Sequence, residues 1–305
     1  MSADKPLVSI VVPTYKRSDR IRVALDSIAA QDYGAENIEL IVVSDNRPEW
    51  PESAETDAAV APYAASLPHF RLLHPPGQPG GGAARNYACR QATGEYLTFL
   101  DDDDEFLPDK VSTQVAFMQE NSLDMSWQDV SWYDERGRLV EHRRLDHCED
   151  FSTEGLLRAH LLTPISPTAI YMLRRDLFDR TEGFGEVATG QDWWLMLRCI
   201  EAGAHMGYMP EVHVRQYLHS GERLSLGKNK VNGEVARHEV VRGYYPRLSK
   251  KDVRYIEFRH NAVLAFAMKR SNQPGQAVIY ALKAIASSPA ACVSEALKFF
   301  GKAKS

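Results

Sequence analysis

Two mainly aliphatic runs near the start of the chain constrain its fold more than any other feature of the sequence. Leu7 to Val12 and Ile38 to Val43 have the composition of parallel strands that are buried on both faces. Apolar residues at helical spacing lie between them, from Ile21 to Ile28, and a third, short strand is predicted at Phe70 to Leu73. This alternation predicts an α/β fold with a doubly wound, mostly parallel, Rossmann-like sheet and helices on both of its faces.

A further strand predicted at Tyr96 to Leu100 is followed directly by four aspartates, Asp101 to Asp104. Unpaired carboxylates are too costly to bury, so this strand cannot end inside the core. In open α/β sheets, ligands bind at the carboxyl ends of the strands. The cluster is therefore either a ligand or metal site, or a solvated acidic turn ahead of a helix predicted from Val111 to Glu120.

Composition limits the classes of function. The net charge of −5 and the pI near 6.1 argue against a nucleic-acid-binding surface. The cysteines are scattered without C-x-x-C spacing, which argues against a zinc site or a disulfide framework and indicates a reducing compartment. We see no signal-peptide pattern and no apolar window long enough to span a bilayer. The expected location is cytoplasmic, with peripheral contact at the inner face of the membrane as a further possibility.

Four segments together resemble the family 2 glycosyltransferases of the GT-A fold. They are VSIVVPTYKR at 8–17, IELIVVSDN at 38–46, ARNYACRQATGEYLTFLDDDDEFLPDK at 84–110 and GFGEVATGQDWWLMLRCIEAG at 183–203. The resemblance covers about the first 225 residues. It implies an inverting, metal-dependent enzyme that moves a sugar from a nucleotide sugar, expected to be a UDP sugar, to a hydroxyl of a glycan or lipid-linked acceptor. Members of this kind commonly act in surface polysaccharide or glycoconjugate biosynthesis. Because the chain lacks the Gln-x-x-Arg-Trp motif of the processive members, a single-addition enzyme is indicated.

The acidic cluster matches the D-x-D motif of that family. Mg²⁺ and Mn²⁺ prefer carboxylate and phosphate oxygens, and Asp101 and Asp103 project from one face of an extended segment. By resemblance, Asp101 faces the ribose or the metal ion, and Asp103 is the direct metal ligand. The fourth aspartate makes the register ambiguous, so Asp102 could replace either of them. The implied cofactor is Mn²⁺ or Mg²⁺.

The ends of the first two strands resemble the nucleotide-binding edge of the family. In the segment Pro13, Thr14, Tyr15, Lys16 and Arg17, the Tyr15 ring would lie against the base and Arg17 near the phosphates. The alternative for Arg17 is an ordinary surface charge in a helix-capping turn.

Asp45 and Arg85 are further candidates for the nucleotide site. Asp45 matches the second acidic residue of the usual Asp-Asp-Gly-Ser, where a carboxylate accepts the uracil imide proton. Ser44 stands in place of the first Asp, and Asn46-Arg47 in place of Gly-Ser. Arg85 follows a loop predicted at Pro75 to Gly82, and it either reaches the donor or solvates that surface.

Asp192 and His219 complete the set of candidates. Asp192 matches the Glu-Asp-x-x-Trp region and would be the base that takes the proton of the acceptor hydroxyl. Gln191 replaces the more frequent Glu. The alternative is a helix cap, and a capping carboxylate is a weak base because its anion is stabilised. His219, in a loop-like cluster, would contact the diphosphate or complete the metal sphere.

The end of the chain becomes purely helical, so we predict a glycosyltransferase domain at 1–240 and a helical extension at 241–305. Two helices, Ala277 to Ala286 and Ala290 to Phe300, are predicted on either side of Pro289. The second carries an apolar stripe and, towards its end, several lysines. Such a stripe packs on protein, for example in a homodimer, or lies on a lipid surface.

Two other functions agree with parts of the sequence. A nucleotidyltransferase also combines a nucleotide-binding sheet with an acidic metal site, but it would be expected to have a basic glycine-rich loop after the first strand. A catalytically inactive sugar-nucleotide-binding protein would agree with the substitutions at Ser44 and Gln191.

Overall fold

The computed structural model describes residues 5–77, 80–187, 189–218 and 227–302. The chain divides into two compact units. Unit 1 comprises Met1–His160, Ile165–Glu186 and Gln191–Gly221, and unit 2 comprises Leu161–Pro164, Val187–Gly190 and Glu222–Ser305.

The first half of unit 1 is the parallel part of a nine-stranded sheet, with the strand order β3-β2-β1-β4. Its strands are β1 Val8–Thr14, β2 Ile38–Ser44, β3 Arg71–Leu73 and β4 Tyr96–Phe99. Its helices are α1 Ile21–Ala29, α2 Pro51–Val60 and α3 Gly80–Cys89. Every residue of β2 and β4 is buried, as the aliphatic and aromatic runs predict. The predicted α/β class with a Rossmann-like sheet is confirmed.

The second half of unit 1 extends the sheet from β4 in the order β8-β6-β9-β5, with β7 paired to β6. Its strands are β5 Glu105–Phe106, β6 Met125–Asp134, β7 Leu139–Arg143, β8 Met172–Arg174 and β9 Met206–Leu218. Its helices are α4 Lys110–Glu120, α5 Thr153–Leu162, whose last two residues belong to unit 2, α6 Arg175–Asp179 and α7 Gln191–Glu201. β6 and β9 are parallel, but β8 is antiparallel to both of its neighbours, so the predicted parallel order holds mainly in the first half.

A local prediction in unit 1 is wrong. The glycines at 80–82 do not lie in a loop, because they form the first turn of α3.

Unit 2 consists mainly of helices: α8 Gly227–Gly243, α9 Lys250–Arg270, α10 Pro274–Ser287 and α11 Pro289–Lys302. The two helices predicted on either side of Pro289 are confirmed. The proposed boundary at residue 240 falls inside α8, and the division into domains 1–240 and 241–305 stays a prediction. Within the described ranges no single helix is long and apolar enough to cross a membrane, although Pro274–Ser287 and Pro289–Glu295, bent by 109°, pass that test as a pair.

Candidate active site

The candidate site lies at the carboxyl edge of the parallel strands. β1 and β2 end at the same level, because Thr14 pairs with Ser44. β4 runs beside β1, and the Leu100 N–H donates to the Val11 carbonyl at 3.1 Å. The segments that follow these three strands therefore meet at one edge of the sheet, where ligands bind in open α/β folds.

The aspartates of the 101–104 run alternate in exposure. The Asp102 side chain is only 5% exposed, whereas those of Asp101 and Asp103 are 38% and 17% exposed. Asp104 is buried, where it accepts hydrogen bonds from the Gln216 side chain at 2.6 Å and the Tyr217 N–H at 3.1 Å. The two more accessible carboxylates are therefore those at the D-x-D spacing.

Arg17 connects the end of β1 to the acidic run. Its Nη1 lies 3.0 Å from Asp102 Oδ1 and 2.7 Å from Asp103 Oδ2. Burial raises the pKa of Asp102 to about 6, although Arg17 acts in the opposite direction. Arg17 is therefore an ion-pair partner within the site rather than a free surface charge.

Arg85 crosses the site from α3. It is buried, so the alternative that it merely solvates the surface is wrong. Its Nη2 donates to Asp101, and its Nη1 donates to Gln191 Oε1 at 2.9 Å. Arg85 thus links the acidic run to the first residue of α7, which makes Gln191 part of the site.

Two buried polar atoms at the end of β2 have no hydrogen-bond partner among the described residues: Ser44 Oγ and Asp45 Oδ1. Burial raises the pKa of the Asp45 carboxyl, while the Gly80 backbone N–H beside it acts in the opposite direction. Buried polar groups in proteins are normally satisfied, so such atoms at a strand end point to a bound ligand.

An aromatic pair borders the end of β1. Tyr15 is 42% exposed, and its ring meets Trp50 edge to face at a centroid distance of 6.1 Å. Lys16 Nζ lies 4.0 Å from the centre of the Trp50 ring, and Arg47 lies 5.3 Å from it. Sequence reasoning identified Tyr15 but missed Trp50. The available signal was an aromatic residue in the short segment between β2 and α2, because segments that follow the carboxyl ends of parallel strands bind ligands.

Asn46 fixes the loop after β1. Its Oδ1 accepts the Lys16 N–H at 2.8 Å, and its Nδ2 donates to Thr56 Oγ1 at 3.0 Å. Lys16 has a positive φ of 55°, and this hydrogen bond supports that conformation. The Asn that replaces the family glycine thereby positions Tyr15.

Asp192 is the second residue of α7, and its Oδ1 accepts the Trp193 N–H at 2.9 Å. Burial raises the pKa of its carboxyl, the Trp193 N–H and the charge of Arg85 lower it, and the charge of Asp101 raises it. The net direction is upward. Asp192 accepts the N–H of its immediate neighbour, whereas an N-cap accepts that of a residue two or three positions on. Its carboxylate is more basic than that of a free aspartate.

The remaining metal prediction, His219, lies outside the described residues. No group of three or more acidic, His or Cys side chains able to hold a metal ion occurs in the part of the chain that the structure describes. Asp101 and Asp103 nevertheless have the donor chemistry of a hard-cation site, because Mg²⁺ and Mn²⁺ prefer carboxylate oxygens; in this structure each of the two is paired with an arginine. Mg²⁺ is commonly bound by one or two carboxylates together with substrate phosphates.

The sequence profile of glycosyl transferase family 2 matches residues 9–181. Since this match covers more than half of the chain, the chain belongs to glycosyl transferase family 2, which confirms the resemblance. A relative from Rickettsia bellii, an uncharacterised glycosyltransferase, is 31% identical over 59% of this chain and 26% of its own length. The putative colanic acid biosynthesis glycosyl transferase WcaA of Escherichia coli is 34% identical over 38% of this chain and 39% of its own length.

The chain thus spans about a quarter to two fifths of these two relatives. Among solved structures, S. aureus TarS 1-349 in complex with UDP-GlcNAc is similar, with a TM-score of 0.60, 19% identity and 90% of each chain covered. So is the mannosyltransferase PcManGT from Pyrobaculum calidifontis in complex with GDP-Man and Mn²⁺, with a TM-score of 0.60, 21% identity and coverage of 97% of this chain and 80% of that one. These likenesses show the GT-A fold.

Proposed function

We propose that the chain is an inverting, divalent-metal-dependent glycosyltransferase that adds one sugar from a nucleotide sugar to a hydroxyl of a glycan or lipid-linked acceptor. One observation carries this proposal: Arg85 joins the accessible Asp101 carboxylate to Gln191, the neighbour of Asp192. One carboxylate of the proposed donor-side pair thereby lies on the same arginine as the neighbour of a buried carboxyl whose pKa is raised, and the charge of Arg85 acts on that carboxyl. Inverting transfer needs such a base on the side opposite the leaving diphosphate.

The donor side of the proposal uses the end of β1 and β2. Asp45 would accept the imide proton of uracil, which favours a UDP sugar, and Tyr15 would face the base. Pro13 and Thr14 would form the backbone edge of that pocket. The complexes of TarS with UDP-GlcNAc and of PcManGT with GDP-Man support a nucleoside diphosphate sugar without choosing between the bases.

Asp101 and Asp103 would hold Mn²⁺ or Mg²⁺, with Asp102 as a buried anchor for Arg17. The bound cation would offset the charge that develops on the departing diphosphate. Arg17 and Arg85 supply fixed positive charge at the same edge. The Mn²⁺ of PcManGT supports this assignment. The likeness to WcaA supports an acceptor in polysaccharide biosynthesis.

The test is a thermal-shift series with UDP, GDP, dTDP and CMP sugars, each with EDTA and with Mn²⁺, followed by an assay of sugar release and transfer. A ligand at about 100 times its Kd stabilises the native state by about 2.7 kcal/mol. We expect UDP sugars to raise the Tm, Mn²⁺ to enlarge that rise, and Asp103→Ala to remove the enlargement. Asp19→Ala, at a side chain that is 79% exposed, is the matched control. Binding without any turnover would indicate an inactive nucleotide-binding protein.

A further inference from the structure

Helix α10 presents its large aliphatic side chains to solvent, whereas the face towards the rest of unit 2 carries two alanines, a serine and a tyrosine. Ala284 is buried, and Ala277, Tyr280 and Ser287, at the same helical face, are half-buried. A helix of a globular protein normally buries its large apolar residues, so this arrangement is reversed.

The opposite face of α10 forms what we term the α10 patch. Its four members are between 46% and 61% exposed: Val278, Ile279, Leu282 and Ile285. On the next helix, Val293 and Leu297 are 60% and 68% exposed. Contiguous exposed aliphatic residues of this kind mark an interaction surface.

The charge that α10 itself carries is positive. The helix contains no Asp or Glu, and its exposed Lys283 lies at the border between the patch and the opposite face, 5.2 Å from the centre of the Tyr280 ring. By composition, α11 has two lysines and one glutamate. The whole chain has a net charge of −5, so this cationic segment stands out against its surroundings.

The dimensions of the two helices favour lying on a bilayer over crossing it. Each has 14 residues, so each is about 21 Å long. The hydrocarbon core of a bilayer is about 30 Å thick. The bend of 109° between them prevents one straight span. A helix with an aliphatic face and flanking lysines can instead lie at the boundary between headgroups and acyl chains.

We propose that the α10 patch docks unit 2 onto an anionic lipid surface, with Leu282 and Ile285 entering the acyl boundary and Lys283 contacting the headgroups. A second copy of this chain fits the patch less well, because a symmetric contact would bring the cationic segments of both copies together. Anionic headgroups would instead neutralise the lysines of these segments, and each lysine near the surface would contribute about 1 kcal/mol to membrane binding. The proposal stands on unit 2 alone and does not depend on the proposed function.

The test is co-sedimentation of the full chain with vesicles of phosphatidylglycerol and phosphatidylcholine, and with vesicles of phosphatidylcholine alone. We expect the wild type to bind the anionic vesicles at low salt. The double substitution Leu282→Ser/Ile285→Ser should lower the partition coefficient at least about tenfold. Its matched control is Leu139→Ser/Val140→Ser on β7, at side chains that are 57% and 55% exposed, which should bind like the wild type. Lys283→Glu leaves the aliphatic residues in place and should weaken binding severalfold.

Circular dichroism and the Tm of each variant verify that it is folded. The proposal is overturned if the wild type ignores anionic vesicles at low salt, or if folded Leu282→Ser/Ile285→Ser binds as the wild type does. It is also overturned if light scattering finds a dimer that this variant abolishes, since a second copy is then the occupant. If the membrane-docking proposal fails, UDP binding and turnover in unit 1 are unaffected. The membrane-docking proposal and the proposed function can therefore be contradicted independently.

Discussion

The four aspartates that follow β4 have different environments, although they are consecutive and chemically identical. The predicted extended backbone is wrong here, because the chain turns at 102–103 and the Asp104 N–H donates to the Asp101 carbonyl at 3.1 Å. In this turn Asp102 and Asp104 are buried, while Asp101 and Asp103 are more accessible. Asp104 is bound by β9, and Arg17 is bound to Asp102 and Asp103. The sequence alone could not assign these environments, because the partners are remote in the chain.

At this residue scale, Arg17→Gln should make the protein depend more strongly on a divalent cation. Asp102 and Asp103 would lose their shared counter-charge, and Arg17 is about one-third exposed, so we expect a loss of about 1–2 kcal/mol in EDTA. Mn²⁺ should then stabilise the variant more than the wild type, as measured by urea unfolding with a UDP sugar present. Arg20→Gln, at an exposed pair with Asp19, is the control. An equal Mn²⁺ effect in variant and wild type would contradict the metal assignment.

Asp192→Asn should reduce turnover by at least about 100-fold while donor binding is retained. An Asn oxygen can still accept the Trp193 N–H, so the substitution removes the base and keeps the hydrogen bond at the helix start. Because the base acts as the anion and burial raises its pKa, the wild-type rate should increase with pH through a value above that of a free aspartate. Turnover within a few-fold of the wild type would leave Asp192 a structural residue.

At the scale of elements, the strands were predictable from the sequence, but the helical conformation of the glycines at 80–82 was not. Buried strands were recognised from their aliphatic runs, and Arg85, Asp101 and Asp192 were identified one by one. The contacts of these three side chains depend on α3 beginning at Gly80. Local propensity could not predict that start, because consecutive glycines favour a loop. Close packing against the loop before α7 explains the glycine at position 82: a Cβ there would lie 2.3 Å from the Gly185 carbonyl oxygen.

Gly82→Ala should therefore destabilise the protein by about 1–3 kcal/mol, even though Ala is normally the better helix former. It should also weaken donor binding, because the backbone shift moves α3 away from the loop that precedes Gln191. Gly275→Ala, in the first turn of α10 with no heavy atom within 4 Å of the added Cβ, is the control and should be neutral or stabilising by up to about 1 kcal/mol. Urea unfolding of both variants measures the difference. Equal stabilities would show that α3 adjusts to the added methyl group.

At the scale of the whole molecule, the buried carboxyls of the candidate site in unit 1 and a buried histidine in unit 2 have opposite pH responses. In unit 1, burial raises the pKa of Asp45 and of Asp192, so their contribution to stability is present below the ordinary carboxyl pKa and is lost as the pH rises. In unit 2, burial and the charge of His260 lower the pKa of His238. Its contribution is therefore present above the ordinary pKa of 6.5 and is lost as the pH falls.

The charged groups around His238 in unit 2 act in a linked cluster. The His238 ring stacks on His260 at a centroid distance of 3.7 Å, and its Nε2 lies 3.2 Å from Glu257. His260 in turn lies 3.0 Å from Glu234, which also pairs with Arg237. Burial raises the pKa of Glu234, whereas the hydrogen bond from His260 and the charge of Arg237 lower it. The lowering effects together are larger, so the pKa of Glu234 lies below its ordinary value. Its contribution is also lost on acidification.

We expect acidification from pH 7.5 towards pH 5.5, a range about one unit either side of the ordinary His pKa, to speed hydrogen exchange of the amides in α8 and α9 after correction for the intrinsic rate. His238→Phe retains a ring against His260 but cannot gain a proton, so it should flatten this response. His69→Gln, at an exposed residue of unit 1, should leave it unchanged. If the exchange of α8 and α9 keeps its pH dependence in His238→Phe, the stacked pair is not its origin, and Glu234, whose carboxylate is bound by His260 and Arg237, becomes the group to replace.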